Sequence, residues 1–193
     1  MKTLVFATHN EHKVEEIRSL TAGNWYIISL DDLGFTKDIP EPFDTLEANA
    51  RQKSETIYKE CGKNCFSEDT GLEVYALKNA PGVLSARYAG SQRSSEDNIA
   101  LLLEKLKDAE DRSAQFRTVI SFILDGKETQ FEGVCKGKIT RERVGVSGFG
   151  YDPVFIPDGS NRTFAEMSME EKSKYSHRAK TFKKFTTYLK TLK

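Results

Sequence analysis

The stretch "AQFRTVISFILDGKETQFEGVCKGKIT" (114–140) decides the fold class of this chain. Two runs rich in strand-forming residues flank the segment "DGKE" (125–128). An Asp-Gly pair between such runs is a strong hairpin signal, because both residues tolerate the positive φ angles of a two-residue turn. The sequence therefore predicts a central antiparallel hairpin.

Strand and helix patterns alternate on both sides of this hairpin. The other predicted strands are "TLVFAT" (3–8), "WYIISL" (25–30) and the two parts of "NCFSEDTGLEVYAL" (64–77), which we expect to be interrupted in its polar middle. The first predicted helix begins within the polar segment "HNEHK" (9–13), with Asn10 as its N-cap. The other predicted helices cover 45–60, which Thr45 opens, then 94–110 and the C-terminal 168–190. The mixture predicts an α/β or α+β fold. A chain of 193 residues is expected to form one domain with a substantial core, with room for two lobes.

Bulk properties exclude several classes of protein. With 29 basic and 29 acidic residues, the formal net charge is zero, which disfavours a stable nucleic-acid complex held by backbone electrostatics. No apolar run approaches the length of a membrane span. The three cysteines, Cys61, Cys65 and Cys135, form no CxxC pair. They predict free thiols and a cytoplasmic location.

The stretch "SEDTGLEV" (67–74) places two carboxylates side by side before strand-like sequence. A polar turn explains it equally well. The stretch would form part of a phosphate-binding site if Lys53, on the preceding helix, faces Glu68 or Asp69. Neighbouring side chains on a strand point to opposite faces, so only one of the two acids need face a site.

Three further segments could contact a ligand. The loop "THNEHK" (8–13) joins a strand to a helix N-terminus, where backbone N–H groups bind anions, and Lys13 could reach back to a phosphate. "SGFGYDP" (147–153) combines glycines with aromatic side chains on which a base could stack. "EEKSKYSHR" (170–178) clusters basic groups within two helical turns. Each is also explained by ordinary surface or core structure.

The residue types indicate which metal ion the chain could bind. The three histidines show no zinc-binding spacing. Scattered carboxylates beside phosphate-directed lysines suit Mg²⁺, which prefers oxygen ligands and keeps several waters.

Together these segments resemble the inosine triphosphate pyrophosphatases, or Ham1-like proteins. "ATHNEHK" (7–13) is similar to the family's TxNxxK loop, and "TLEANARQKS" (45–54) to its lysine-bearing helix. "SEDTGL" and "APGVLSARYAG" follow in family order, and "GFGYDPVF" and "EEKSKYSHR" resemble the base-recognition motifs.

The resemblance implies a mixed α/β fold with a long curved sheet flanked by helices in two lobes, a central active-site cleft, and a homodimer. It also implies hydrolysis of non-canonical purine nucleoside triphosphates (ITP, dITP, XTP) to the monophosphate and pyrophosphate with Mg²⁺, cleansing the nucleotide pool. The catalytic residues implied are Asp69 and Lys53, and the metal ligands implied are Asp69, Glu41 and Glu68. The substrate-binding residues implied are Thr8, His9, Asn10, Lys13, Thr70, Phe149, Gly150, Tyr151, Asp152, Lys172, His177 and Arg178.

Three positions depart from the family's pattern. Family members often have Gly at the position of His9, Glu at that of Ala48 and Asp at that of Glu68. The last difference leaves the metal assignment between Glu68 and Asp69 open. Two alternatives to the function also stand: a pyrophosphatase for pyrimidine or other modified nucleotides, and a non-catalytic nucleotide-binding module.

Overall fold

The structure is a computed structural model that describes residues 2–21 and 25–192, without the side chains of residues 12, 16 and 19–21. Its seven strands are β1 (Lys2–Phe6), β2 (Trp25–Ile28), β3 (Cys65–Val74), β4 (Pro81–Gly82), β5 (Ser113–Leu124), β6 (Lys127–Ile139) and β7 (Phe155–Pro157). Its α-helices are α1 (Glu11–Thr21), α2 (Leu46–Cys61), α3 (Ser95–Lys105), α4 (Met169–Tyr175) and α5 (His177–Thr191). The mixed α/β class is thus confirmed.

The predicted hairpin is present as β5 and β6, neighbouring strands joined by Asp125 and Gly126. These two residues have φ angles of 50° and 80°. Positive φ at both central residues is the mark of a type I′ turn, whose twist matches that of the strands.

All seven strands belong to one sheet, in the order β2-β1-β3-β5-β6-β7, with β4 paired to β3. Strand β1 runs parallel to both β2 and β3, whereas the β3–β4 and β6–β7 pairs are antiparallel. The sheet is therefore mixed. The β1–β3 pairing brings the end of β1, where the first loop begins, beside the polar part of β3.

The interruption predicted within 64–77 is wrong. Strand β3 continues from Cys65 to Val74 through both carboxylates. Its first residues pair with β1 and its last with β4, and β5 lies along its other side in the sheet order. Pairing from neighbouring strands maintains the strand where local polarity alone favours a turn.

Two helices differ from their predicted extent. Helix α3 ends at Lys105, well before residue 110. The C-terminal helical sequence is divided at Ser176, whose backbone is extended (φ −60°, ψ 136°). The Ser176 hydroxyl accepts a hydrogen bond from Ala179 N at 3.1 Å, so this residue ends α4 and caps α5.

The chain forms two compact units, each with its own core. The first unit comprises Met1–Asp69, Val119–Glu132 and Thr181–Lys193, and the second Thr70–Thr118 and Gly133–Lys180. In the first, Phe6, Phe66 and Phe185 pack among aliphatic side chains; in the second, Phe116, Phe155 and Phe164 do so. In the described ranges, none of the helices combines the length and apolarity needed to cross a bilayer.

Candidate functional site

The loop between β1 and α1 is held by its own side chains. Thr8 Oγ1 accepts a hydrogen bond from Asn10 N at 3.1 Å, and Asn10 Oδ1 accepts one from Lys13 N at 3.2 Å. Asn10 therefore caps α1 as predicted, and this hydrogen bond holds the backbone of Lys13 in the first turn of the helix.

His9 is tied to a separate turn. Its Nδ1 lies 2.7 Å from Asp31 Oδ1, and both side chains are exposed. The turn is also bound to the loop by a backbone hydrogen bond from Leu30 N to Thr8 O at 3.2 Å. The position where the family often has Gly thus carries an additional link between loop and turn.

Each of the two adjacent acids of β3 faces a different lysine. Lys13 Nζ lies 2.6 Å from Glu68 Oε1, and the Glu68 side chain is only 1% exposed. Lys53 Nζ lies 2.9 Å from Asp69 Oδ1 and 2.6 Å from Glu41 Oε1. The alternation of the strand separates the carboxylates, and each has a cation close by. We call Lys13, Glu41, Lys53, Glu68 and Asp69 the acid–lysine cluster.

Burial and charge act against each other at Lys53 and Asp69. Burial raises the pKa of Asp69, and the nearby Glu41 charge adds to this, whereas Lys53 and Lys13 oppose it; the net direction is upward. Burial works to lower the pKa of Lys53, but the Asp69 and Glu41 carboxylates outweigh it and raise that pKa. Lys53 is therefore a fixed cation, and Asp69 is more basic than an ordinary aspartate, which suits a group that accepts a proton.

The carboxylates of Glu41 and Asp69 converge on one cationic atom, Lys53 Nζ. Two carboxylates that meet at a point, completed by waters and phosphate oxygens, are a suitable donor set for Mg²⁺. Within the described residues there is no cluster of three or more Asp, Glu, His or Cys side chains that could hold a metal by itself. The residues thus fit a cation that shares its ligands with a substrate.

A glycine-rich turn in the second unit is organised by Asp152. This buried carboxylate accepts hydrogen bonds from Phe149 N at 2.9 Å and from Lys172 Nζ at 2.6 Å, both at Oδ2. Gly148 has φ +80°, and a Cβ there would lie 2.1 Å from the same oxygen, so a side chain would displace Asp152. Gly150, with φ +59°, has open space around it.

The turn presents an exposed aromatic ring with two cations close to it. Phe149 is 63% exposed. Lys172 Nζ lies 5.0 Å from its ring centroid, and Arg178 Cζ lies 5.5 Å from it. The ring offers a stacking surface, and the two basic groups supply donors beside it.

Other predicted residues have internal partners. Tyr151 is buried and donates its hydroxyl to Ser85 O at 2.9 Å, and burial raises its pKa. His177 is buried and stacks on Phe116, with 4.7 Å between ring centroids. Thr70 Oγ1 lies 2.7 Å from Thr118 Oγ1.

The partners Asp31, Phe116 and Thr118 were missed by sequence reasoning. Each lies 22 to 61 positions from the residue it contacts, and none stands in a recognisable motif. A turn, the neighbouring positions of β3 and β5, and the packing of α5 against β5 bring them to the site residues.

Comparison with known proteins shows the family of this chain. The Ham1 family model matches residues 4–188. The chain belongs to the Ham1 family. A protein of Christiangramia forsetii named dITP/XTP pyrophosphatase is 48% identical over 186 residues, which are 96% of this chain and 98% of the relative. A protein of the same name from Porphyromonas gingivalis is 51% identical over 180 residues, 93% of each chain.

Solved Ham1 structures have the same fold. The Staphylococcus aureus Ham1 protein aligns with a TM-score of 0.94 at 37% identity, over 100% of both chains. A HAM1 protein from Coxiella burnetii aligns with a TM-score of 0.94 at 35% identity, over 99% of this chain and 100% of that one.

Proposed function

We propose that this Ham1 protein hydrolyses non-canonical purine nucleoside triphosphates, dITP, XTP and ITP, to the nucleoside monophosphate and pyrophosphate, and so cleanses the nucleotide pool. Full-length relatives named dITP/XTP pyrophosphatase support the substrate class. The observation that carries the proposal is Lys53 held between Glu41 and Asp69, since this arrangement keeps a basic carboxylate beside a fixed cation. Such a pair can accept a proton from water and neutralise phosphate charge.

Within the first unit, the following roles are proposed for the side chains. Thr8, His9, Asn10 and Lys13 line the helix N-terminus that would bind phosphate groups. Asp69 orients and deprotonates the attacking water, and Lys53 binds a phosphate oxygen while it keeps Asp69 ionised. The water oxygen bonds to the α-phosphorus while the anhydride bond between the α- and β-phosphates breaks. The nucleoside monophosphate and pyrophosphate are released, and the proton taken from water is held at the Asp69 carboxylate.

The roles within the second unit concern the base. Phe149 stacks on it, and Gly150, Tyr151 and Asp152 fix the turn that holds Phe149. Lys172, His177 and Arg178 supply hydrogen-bond donors, and Thr70 contacts substrate through its hydroxyl. These assignments extend the family resemblance to the observed positions.

A substrate panel tests the activity. Release of pyrophosphate and of the nucleoside monophosphate should be fastest with dITP, ITP and XTP, and slower with ATP and GTP. Faster turnover of pyrimidine or methylated nucleotides would favour the alternative pyrophosphatase. Binding of dITP without any product would favour the non-catalytic module.

The divalent cation is proposed to be Mg²⁺, held by Glu41 and Asp69, with Glu68 a third candidate from the sequence alone. When bound, it would neutralise charge on the phosphate oxygens. We expect turnover to stop on exhaustive chelation and to return with Mg²⁺ more fully than with Ca²⁺, because bridging phosphates at short distance favours the smaller ion. Full turnover after chelation, checked by elemental analysis, would contradict this.

Base choice is proposed to depend on Arg178. Hypoxanthine and xanthine carry a 6-oxo acceptor, whereas adenine carries a 6-amino donor that leaves the basic groups unpaired. We expect Arg178→Ala to lower kcat/KM for ITP about 10- to 100-fold and that for ATP far less. Lys174→Ala, which changes a more exposed cation on α4, is the matched control. An equal loss for both nucleotides would make Arg178 a structural or phosphate-directed residue.

The protein is further proposed to be a cytoplasmic homodimer. Its three cysteines carry free thiols, as expected in a reducing compartment. Exposed apolar side chains such as Tyr75 and Leu84, 41% and 46% exposed, offer a surface for a second copy. Light scattering after size-exclusion chromatography should give twice the mass of one chain, and a monomeric mass would contradict the dimer.

A further inference from the structure

The lysines of the acid–lysine cluster already have anionic partners within the chain. Lys13 is paired with Glu68 at 2.6 Å, and Lys53 with Glu41 and Asp69 at 2.6 and 2.9 Å. The side chains of these groups are between 1% and 26% exposed. At such depth, a charge deprived of its partner costs considerable free energy.

The formal charge of the cluster is negative. Two lysines face three carboxylates, so the five side chains together carry a net charge of minus one when all are ionised. A polyphosphate that approaches Lys13 therefore has to displace the Glu68 carboxylate from that ammonium group, and the net charge of these five side chains does not favour its approach. Within the cluster, both lysines are already paired with carboxylates, so an anion competes with these internal partners.

Glu68 differs from the other two acids in its partner. Glu41 and Asp69 converge on Lys53, where a divalent cation could share them with phosphate oxygens. Glu68 instead faces Lys13, the lysine at the N-terminus of α1, and its side chain is almost fully buried. Its carboxylate oxygen lies beside Lys13 Nζ, at the distance where a phosphate oxygen would bind that ammonium group.

We infer that Glu68 is a place-holding counter-ion for Lys13 rather than a metal ligand, and that it makes polyphosphate binding depend on a divalent cation. The cation supplies the positive charge that the cluster lacks, so anion and cation bind with positive coupling. The inference deepens the proposed function, on which it rests for the choice of a polyphosphate ligand. It assigns Glu68 a positioning role that is exerted through Lys13.

Metal-free binding of inorganic pyrophosphate tests this assignment. By calorimetry, the unmodified protein should bind pyrophosphate about a hundredfold more weakly in chelator than with Mg²⁺. Glu68→Gln keeps the shape of the side chain and removes its charge. It should strengthen metal-free binding about tenfold or more, and further strengthening by Mg²⁺ should remain.

Two control variants isolate the cause. Glu55→Gln removes a charge from an exposed pair on α2, where Lys59 lies 3.6 Å away, and should leave metal-free binding unchanged. In the double variant Lys13→Met/Glu68→Gln the gain should vanish, because it is exerted through Lys13. Both cluster variants are checked for cooperative unfolding. If Glu68→Gln folds poorly, Glu68→Ala provides a second neutral side chain at the same position.

The possible outcomes separate the alternatives. No gain in Glu68→Gln, or a gain that persists without Lys13, overturns the place-holder role. Loss of the Mg²⁺ effect in Glu68→Gln because binding with Mg²⁺ weakens, with no gain in metal-free binding, would make Glu68 a metal ligand and would also overturn it. Hydrolysis of dITP by the unmodified protein is measured separately, so failure of the proposed function gives a different result from failure of this inference.

Discussion

Asp69→Asn is expected to lower the turnover of dITP by about 10²- to 10⁴-fold while the fold is retained, a loss typical of removing a general base. The amide has the same shape as the carboxylate, so the position beside Lys53 can be kept. It cannot accept a proton, however, and it carries no charge to help hold a cation. The raised pKa of the Asp69 carboxyl, caused mainly by burial, is the property that the substitution removes.

Initial rates of pyrophosphate release measure this loss, with circular dichroism and thermal unfolding to verify the fold. Asp108→Asn is the matched control, because its side chain is 89% exposed and its lysine partner lies at 4.0 Å. A folded Asp69→Asn protein with near-normal turnover would refute the role of Asp69 as the base.

Lys53→Met is expected to lower the free energy of unfolding by about 3–5 kcal/mol at neutral pH, the usual cost of removing one partner of a buried ion pair. Without Lys53, the carboxylates of Glu41 and Asp69 lie close together with no cation between them. They would be forced to take up protons, and their pKa values in the folded variant would rise above those of the unfolded chain. Acids with raised pKa values in the folded state make it less stable as pH increases. The difference from the unmodified protein should therefore shrink at acidic pH.

Urea unfolding at two pH values measures both the loss and its direction. Lys59→Met on the same helix is the control, since the Lys59 side chain is 76% exposed and its pair with Glu55 contributes little. A loss of less than about 1 kcal/mol at neutral pH would mean that the two carboxylates are stabilised by other groups.

Local sequence was sufficient for the parts of the fold that depend on a few neighbouring residues. Asp125-Gly126 specifies the type I′ turn because both residues accept positive φ. Asn10 and Thr45 start their helices because a short polar side chain satisfies free N–H groups one turn on. The motifs also indicated the family, which the Ham1 comparison confirmed.

The tertiary structure alone decided which groups meet. Alternation along β3 predicted that Glu68 and Asp69 point apart, but not that one faces Lys13 and the other Lys53. That choice depends on β3 lying parallel to β1, so that the helix after β1 brings Lys13 to the side of Glu68. Similarly, the links His9–Asp31 and Thr70–Thr118 join residues 22 and 48 positions apart. A sequence encodes the side chain at each position directly, whereas its partner is set by sheet order and packing, which depend on contacts distributed over the whole chain.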